Sequence, residues 1–378
     1  MARKRRRRGC IIVLFVVCIF ILGSAKAIQL AKNLLGYGEI EFKTTAAIDK
    51  KSDENDVYQP FQQGIVVYQG EALKAYDHLG KEQWTNTKKI KRALLAISQN
   101  VIYLGDQQQG TVYCIDEQGK EKWSASLEGA ISSLKSNGQG QVVAFVESEA
   151  GGGTFTIFNP DGVIAGNIAI PAGHIMDVDI GSGENGMLAV SVLSSDNYKI
   201  QSNVMLYSTT GKLLRANRYD NDVIGKTYLY GNTELLIFGD KKLIKIDKEK
   251  GQVWKKDLDE SISRAAWNET GFVVLNLINR KKLIIDTKNN STISIIDMDG
   301  KEIGNLPLKG EIIGISTKEN HAAAFTSRTL YVLSKDGKLI AEKKINNDIK
   351  WVTMLDKERL IIETNNKLLL TQIKYKEQ

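Results

Sequence analysis

The sequence predicts an all-β fold: an eight-bladed β-propeller, with seven blades as the alternative count, preceded by one N-terminal transmembrane helix. Three observations predict it. A turn phrase built on Asp and Gly recurs along the chain. Its glycines, at 80, 119, 162, 211, 251, 300 and 337, stand 37 to 49 residues apart. A run of seventeen uncharged residues, 9–25, follows six basic residues near the start. A repeat of roughly 40 residues made of short strands is the propeller signature.

The chain divides into a basic head (1–8), an anchor (9–28), a linker (29–38) and the propeller (39–378). The uncharged run is at the short end of the roughly 17–25 residues a spanning helix needs. Lys26 can snorkel, and Ile28 continues the apolar face. Arg3, Lys4 and Arg5 to Arg8 should stay cytoplasmic, which places the propeller outside. Ala25-Lys26-Ala27 also fits a signal-peptidase site, so secretion after cleavage near Ala27 is the alternative location. The net charge of +7 comes from this segment. Its seven basic groups, taken from the 51 in the chain, leave 44 against 44 acids. The neutral remainder has no basic footprint for nucleic acid.

Glu39 to Thr44 alternates polar and apolar residues, as a strand with one covered face does. Eight apolar runs follow: Ile65 to Tyr68, Val101 to Leu104, Val142 to Val146, Met187 to Val192, Leu235 to Phe238, Phe272 to Leu275, Ala322 to Phe325 and Leu360 to Ile362. Apolar on both faces, they suit second strands sandwiched between neighbouring blades. Each of the first seven leads through a third strand to the turn phrase. Asp starts such a turn because its carboxylate accepts backbone amides two or more residues on. Gly closes it in a left-handed conformation. The fullest copies are Asp77, Gly80, Trp84; Asp116, Gly119, Trp123; and Asp247, Gly251, Trp254, with Asp and Trp seven positions apart. The eighth unit, 351–376, ends after its third strand at Leu368 to Leu370, and the spare strand at Glu39 to Thr44 is expected to complete it.

The Asp-x-x-Gly-Lys-x-x-Trp phrases at 77–84 and 116–123 resemble the quinoprotein-type repeat of pyrroloquinoline-quinone (PQQ) dehydrogenases and of the non-enzymatic lipoprotein BamB. The resemblance implies that the turn joins the third and fourth strands of a blade. It implies that Trp84, Trp123 and Trp254 dock on the adjacent blade. With the N-terminal span, the chain also looks like membrane-anchored propeller proteins of Gram-positive bacteria. A PQQ enzyme of this type would need a calcium site, a catalytic Asp and commonly a vicinal Cys pair over the cofactor. The chain has no Cys-Cys, and its third repeat reads Asn159-Pro160 with no Trp.

No motif assigns catalytic, cofactor or metal residues. Asp177-Val178-Asp179 before a Gly-rich stretch gathers oxygens but misses the EF-hand spacing. His78, His174 and His321 have no metal-ligand spacing. Gly151 to Gly153 reads as a hairpin tip, and Cys114 as a buried strand thiol. Asn268 and Asn290 head glycosylation-type triplets. The expected function is a membrane-tethered, extracytoplasmic, non-catalytic module without a cofactor. It is expected to bind envelope or membrane proteins through loops such as 150–154 and 177–185. The alternative is an enzyme or small-ligand sensor with its site in the central channel.

Overall fold

A computed structural model describes residues 40–50, 56–182, 186–196, 199–279 and 291–375. The head, anchor and linker lie outside these residues. Among those described, no helix is long and apolar enough to cross a membrane. The chain forms two compact units. The smaller comprises Met1–Lys43 and Ile373–Gln378, of which only the outer ends of two strands are described. The larger, Thr44–Gln372, carries the ring.

The 32 described strands make eight four-stranded antiparallel sheets. Seven are continuous in sequence: blade 1 at 57–87, blade 2 at 93–126, blade 3 at 131–170, blade 4 at 174–220, blade 5 at 224–257, blade 6 at 261–308 and blade 7 at 314–344. Blade 8 takes three strands from 349–375 and its fourth from Ile40–Asp49 at the other end of the chain. This settles the count at eight. The closing strand runs five residues further than the sequence pattern indicated, to Asp49. Thr45 Oγ1 donates to the Leu370 carbonyl (3.1 Å), and the Lys50 amide to that of Asn366 (2.8 Å). Beyond the strand, Lys50 and Tyr58 of blade 1 both bond the Glu363 carboxylate of blade 8.

All eight apolar runs are second strands of their blades. They are buried because sheets stack face to face around the ring, so both faces of a mid-blade strand meet a neighbour. The core is accordingly a series of clusters between blades. Val66, Tyr68 and Leu73 of blade 1 meet Ile102, Leu104 and Ile115 of blade 2. Val143, Phe145 and Phe155 of blade 3 meet Leu188 and Val190 of blade 4. Ile65 and Val67 meet Ile361, Leu368, Leu370 and Ile48 across the closing seam. Cys114 is fully buried in one such cluster, and burial pushes its thiol up to about 11, leaving it protonated and inert.

Candidate functional site

Each of the seven Asp-Gly phrases joins the third strand of a blade to the fourth. Asp77 Oδ1 accepts the amides of Leu79 and Lys81 (both 2.9 Å), and Asp116 Oδ1 those of Gln118 and Lys120 (3.0 and 2.8 Å). Asp247 Oδ1 takes Glu249 and Lys250 (both 2.9 Å) in a turn one residue longer. These amides hold the Asp77 and Asp247 carboxyls below the usual carboxylate range. The closing glycines have φ between +74° and +91°, and the strand register slips by one residue beside every turn.

Seven positions after the first turn residue, the fourth strand meets the turn of the next blade. Trp84 lies over Gly119, where an added Cβ would come within 2.6 Å of the ring, and its Nε1 donates to Glu117 O (2.8 Å). Trp123 covers Gly162 and donates to Pro160 O (2.9 Å). Trp254 covers Gly300 and donates to Met298 O (2.9 Å). The repeat resemblance implied docking at these three positions, and only where the position holds Trp. The same position continues around the ring with other side chains. Arg215 lies on Gly251 and donates to the Lys248 and Glu249 carbonyls (3.0 and 3.2 Å). Gly166 and Gly304 bring bare backbone against the turns at 209–211 and 336–337. At the closing seam, Ala46 meets Gly80. Counting seven from Ser208 would have found Arg215.

A different problem arises at the channel. The innermost strand of each blade has one edge without a strand partner, and its peptide groups need acceptors and donors. Side chains of neighbouring blades supply them. Ser136 Oγ donates to Ile97 O (2.7 Å), Asn137 Nδ2 to Gly181 O (2.9 Å), and the Met354 amide donates to Ser316 Oγ (2.9 Å). Between blades 4 and 5 the acceptors are carboxylates. Asp177 Oδ2 takes the Thr227 amide (2.8 Å), and Asp179 Oδ2 takes that of Leu229 (2.7 Å). Asp177 and Asp179 therefore lie on an inner strand, His174–Ile180, that ends at the Gly-rich stretch and faces the next blade, which corrects their inclusion in the contact loop at 177–185; residues 183–185 lie outside the described residues. Among the described residues, no group of three or more His, Cys, Asp or Glu could hold a metal ion. The three histidines stand apart in blades 1, 4 and 7. Gly151 to Gly153 forms the hairpin tip between the second and third strands of blade 3. Asn268 is 2% exposed and bonds Thr270 within its own turn, so its amide is a poor sugar acceptor.

Burial raises both channel carboxyls, and Asp179 reaches about 6; the Leu229 amide opposes the rise and Asp177 adds to it. Between pH 4 and 6 the folded chain thus holds a proton that an unfolded Asp, with its ordinary value of 3.8, has released. The stability this group contributes is full below the unfolded value and falls as pH rises through the folded one. Asp179→Asn stays neutral while keeping an acceptor oxygen. Its stability should match the parent near pH 4 and exceed it by about 2–3 kcal/mol at pH 7.5. Urea melts at both pH values check this; a difference that does not grow with pH would show that Asp179 titrates normally.

Two surface features remain open. The first is a cavity of about 920 Å³ at one mouth of the channel, over the inner strands of blades 5 to 8. Lys226, Tyr228, Arg264 and Trp351 line it. The second is on the rim. Just past the turns of blades 3, 4 and 5, Val163, Ile164, Leu213, Leu214 and Val253 are 39–59% exposed. Two residues past the turn glycine, where blades 3 to 5 have Ile164, Leu213 and Val253, blades 1 and 2 have Glu82 and Glu121.

The fold so built is an eight-bladed β-propeller closed by a strand from the N-terminal side of the ring. The chain belongs to a family known by the description "Family of unknown function (DUF5711)", whose model matches residues 34–373. No curated protein sequence matches it. Among solved structures it is similar to BamB from Moraxella catarrhalis, at 12% identity and a TM-score of 0.57, over 88% of this chain and 100% of that one. It is also similar to Sqt1 of Saccharomyces cerevisiae, at 11% identity and a TM-score of 0.62, over 87% and 98% of the two chains. The WD40 domain of SCAP from fission yeast matches at 9% identity and a TM-score of 0.58, over 88% and 98%. At these identities the likeness establishes the fold alone.

Proposed function

We propose that the chain is a non-catalytic recognition module, tethered by residues 9–28 to the outer face of the cytoplasmic membrane and binding envelope or membrane proteins. The observation that carries this reading is the apolar rim. Five large aliphatic side chains are exposed within three residues past the turns of three successive blades, and at the shared second position, held by Ile164, Leu213 and Val253, the first two blades have Glu82 and Glu121, with Leu79 exposed in the turn of blade 1. Exposed apolar groups gathered on a rigid scaffold mark a protein-contact surface. The resemblance to BamB-type repeats supports a binding role, and the basic head before an apolar run supports the tether. Proximity at the membrane raises the effective concentration of partners there.

The test has two arms. A periplasm-type reporter fused after Gln378 should be active only if the ring is outside the cytosol; an inactive fusion would refute the topology. A photo-crosslinking residue at Leu213 should capture membrane or envelope proteins in cells, whereas one at Lys122, on the charged part of the rim, should not. Equal capture from both positions would remove the rim as the contact surface.

A further inference from the structure

The cavity at the channel mouth is built differently from the rim. Arg264, on the inner strand of blade 6, is held by carbonyls: its Nε donates to Ile313 O (2.8 Å) and its Nη1 to Ser263 O (2.7 Å). Carbonyl acceptors fix the guanidinium without neutralising it, and Nη2 has no protein acceptor among the described residues. Lys226, on the inner strand of blade 5, sits against the Tyr228 ring with its Nζ 4.9 Å from the centroid. No carboxylate of the described residues lies within ion-pair distance of it. Burial lowers its pKa, while Asp177 and Asp179 raise it from a distance. The other cations of the lining are engaged: Lys242 pairs with Asp222 at 2.5 Å, and Lys241 bonds Asp259 O at 3.1 Å. On the far wall Trp351 stands edge-on to Phe325 and is 45% exposed, a large apolar face with no cover.

Lys226 is half-buried with no carboxylate of the described residues in contact, Asp177 and Asp179 compensating it only from a distance, and Arg264 is exposed; a ligand anion in contact with both offsets the remaining cost at Lys226. We propose that this channel mouth is a binding site for a carboxylate attached to an apolar body, with the carboxylate between Lys226 and Arg264 and the apolar part on Trp351. The carboxylate can come from an acidic, aliphatic peptide segment of a partner or from a free small acid. The cavity has room for several residues of an extended peptide or for one small molecule. The site is independent of the apolar rim, so crosslinking at Leu213 can fail or succeed without bearing on it.

Binding to the full-length chain is followed by tryptophan fluorescence and checked by calorimetry. The probes are the amidated peptide acetyl-Leu-Glu-Leu-Glu, its Gln-for-Glu counterpart and phenylacetate. At least one carboxylate probe should bind saturably, and the Gln peptide should not. Arg264→Gln and Lys226→Gln should each weaken binding by about 10–100-fold, as expected for one charge-assisted contact. Trp351→Ala should weaken it less and abolish most of the signal. Arg264 also bonds two carbonyls, so its variant is compared at equal folded fraction, and Lys226→Gln carries the test if Arg264→Gln melts early. Peptide binding alone identifies a protein segment as the source, and phenylacetate binding alone a free acid. The proposal is overturned if neither carboxylate probe binds at millimolar concentration, if the Gln peptide binds equally well, or if Lys226→Gln leaves the affinity unchanged.

Discussion

A chain lacking residues 40–49 should fail to form a cooperatively folded ring. Without this strand, one edge of Lys367–Tyr375 loses its pairing, and an unpaired edge invites aggregation. Ile48 leaves the seam cluster, uncovering Leu368 and Leu370. Ala46 no longer seals Gly80, and Thr45 no longer bonds Leu370 O or His78 O. Because every blade leans on two others, an open ring loses one of its interblade faces. The total loss is comparable to the roughly 5–15 kcal/mol of net stability typical of a folded protein. Thermal unfolding of the deletion variant should be broad, early and accompanied by aggregation. A sharp transition at the parent temperature would mean that blade 8 does not depend on this strand.

Trp123→Ala should be the most damaging single change among the docking residues, at about 3–4 kcal/mol. The indole is half-buried, lies on Gly162 and touches the rings of Tyr103 and Phe158 at centroid distances of 5.8 and 5.7 Å. Its Nε1 bond to Pro160 O ties blade 2 to the turn of blade 3. Removing it uncovers the left-handed Gly162 and the ring edges of Tyr103 and Phe158. Trp123→Phe keeps most of the packing and loses the bond, so it should cost about 1 kcal/mol. Denaturant midpoints for the two variants test the ranking. If Ala and Phe cost the same, the hydrogen bond, and not the packing, holds the blades.

Much of the ring was legible because the repeat is written in residues with narrow conformational uses. Asp and Gly at fixed spacing leave little choice of turn, and runs such as Ile65 to Tyr68 have no solvated face. The closing strand was only half legible. Thr44 to Ala47 lacks a strong apolar alternation, and Ala46 is small because it must fit beside Gly80. The docking position was legible where it held Trp and hidden where it held Arg215, Gly166, Gly304 or Ala46. Nothing local marks a glycine as a docking residue; only the partner blade does. The channel features could not be read from spacing. Asp177 meets Thr227 fifty residues away, and Lys226, Arg264 and Trp351 come together only because four inner strands converge on one axis.

The closing strand also sets the order in which the molecule can be finished. Thr45 and its partner Leu370 are 325 residues apart. At a synthesis rate of about 5–20 residues per second, the partner emerges tens of seconds after the strand that awaits it. During that interval blades 1 to 7 can stack in sequence, each on the one before, while blade 1 keeps an uncovered face and Ile40–Asp49 remains unmatched. Newly made chains therefore pass through an arc before they become a circle. Two such arcs that meet can exchange N-terminal strands before either closes on itself. Moving residues 40–50 to a position just after residue 375 would turn the longest-range pairing in the molecule into a hairpin and remove the wait.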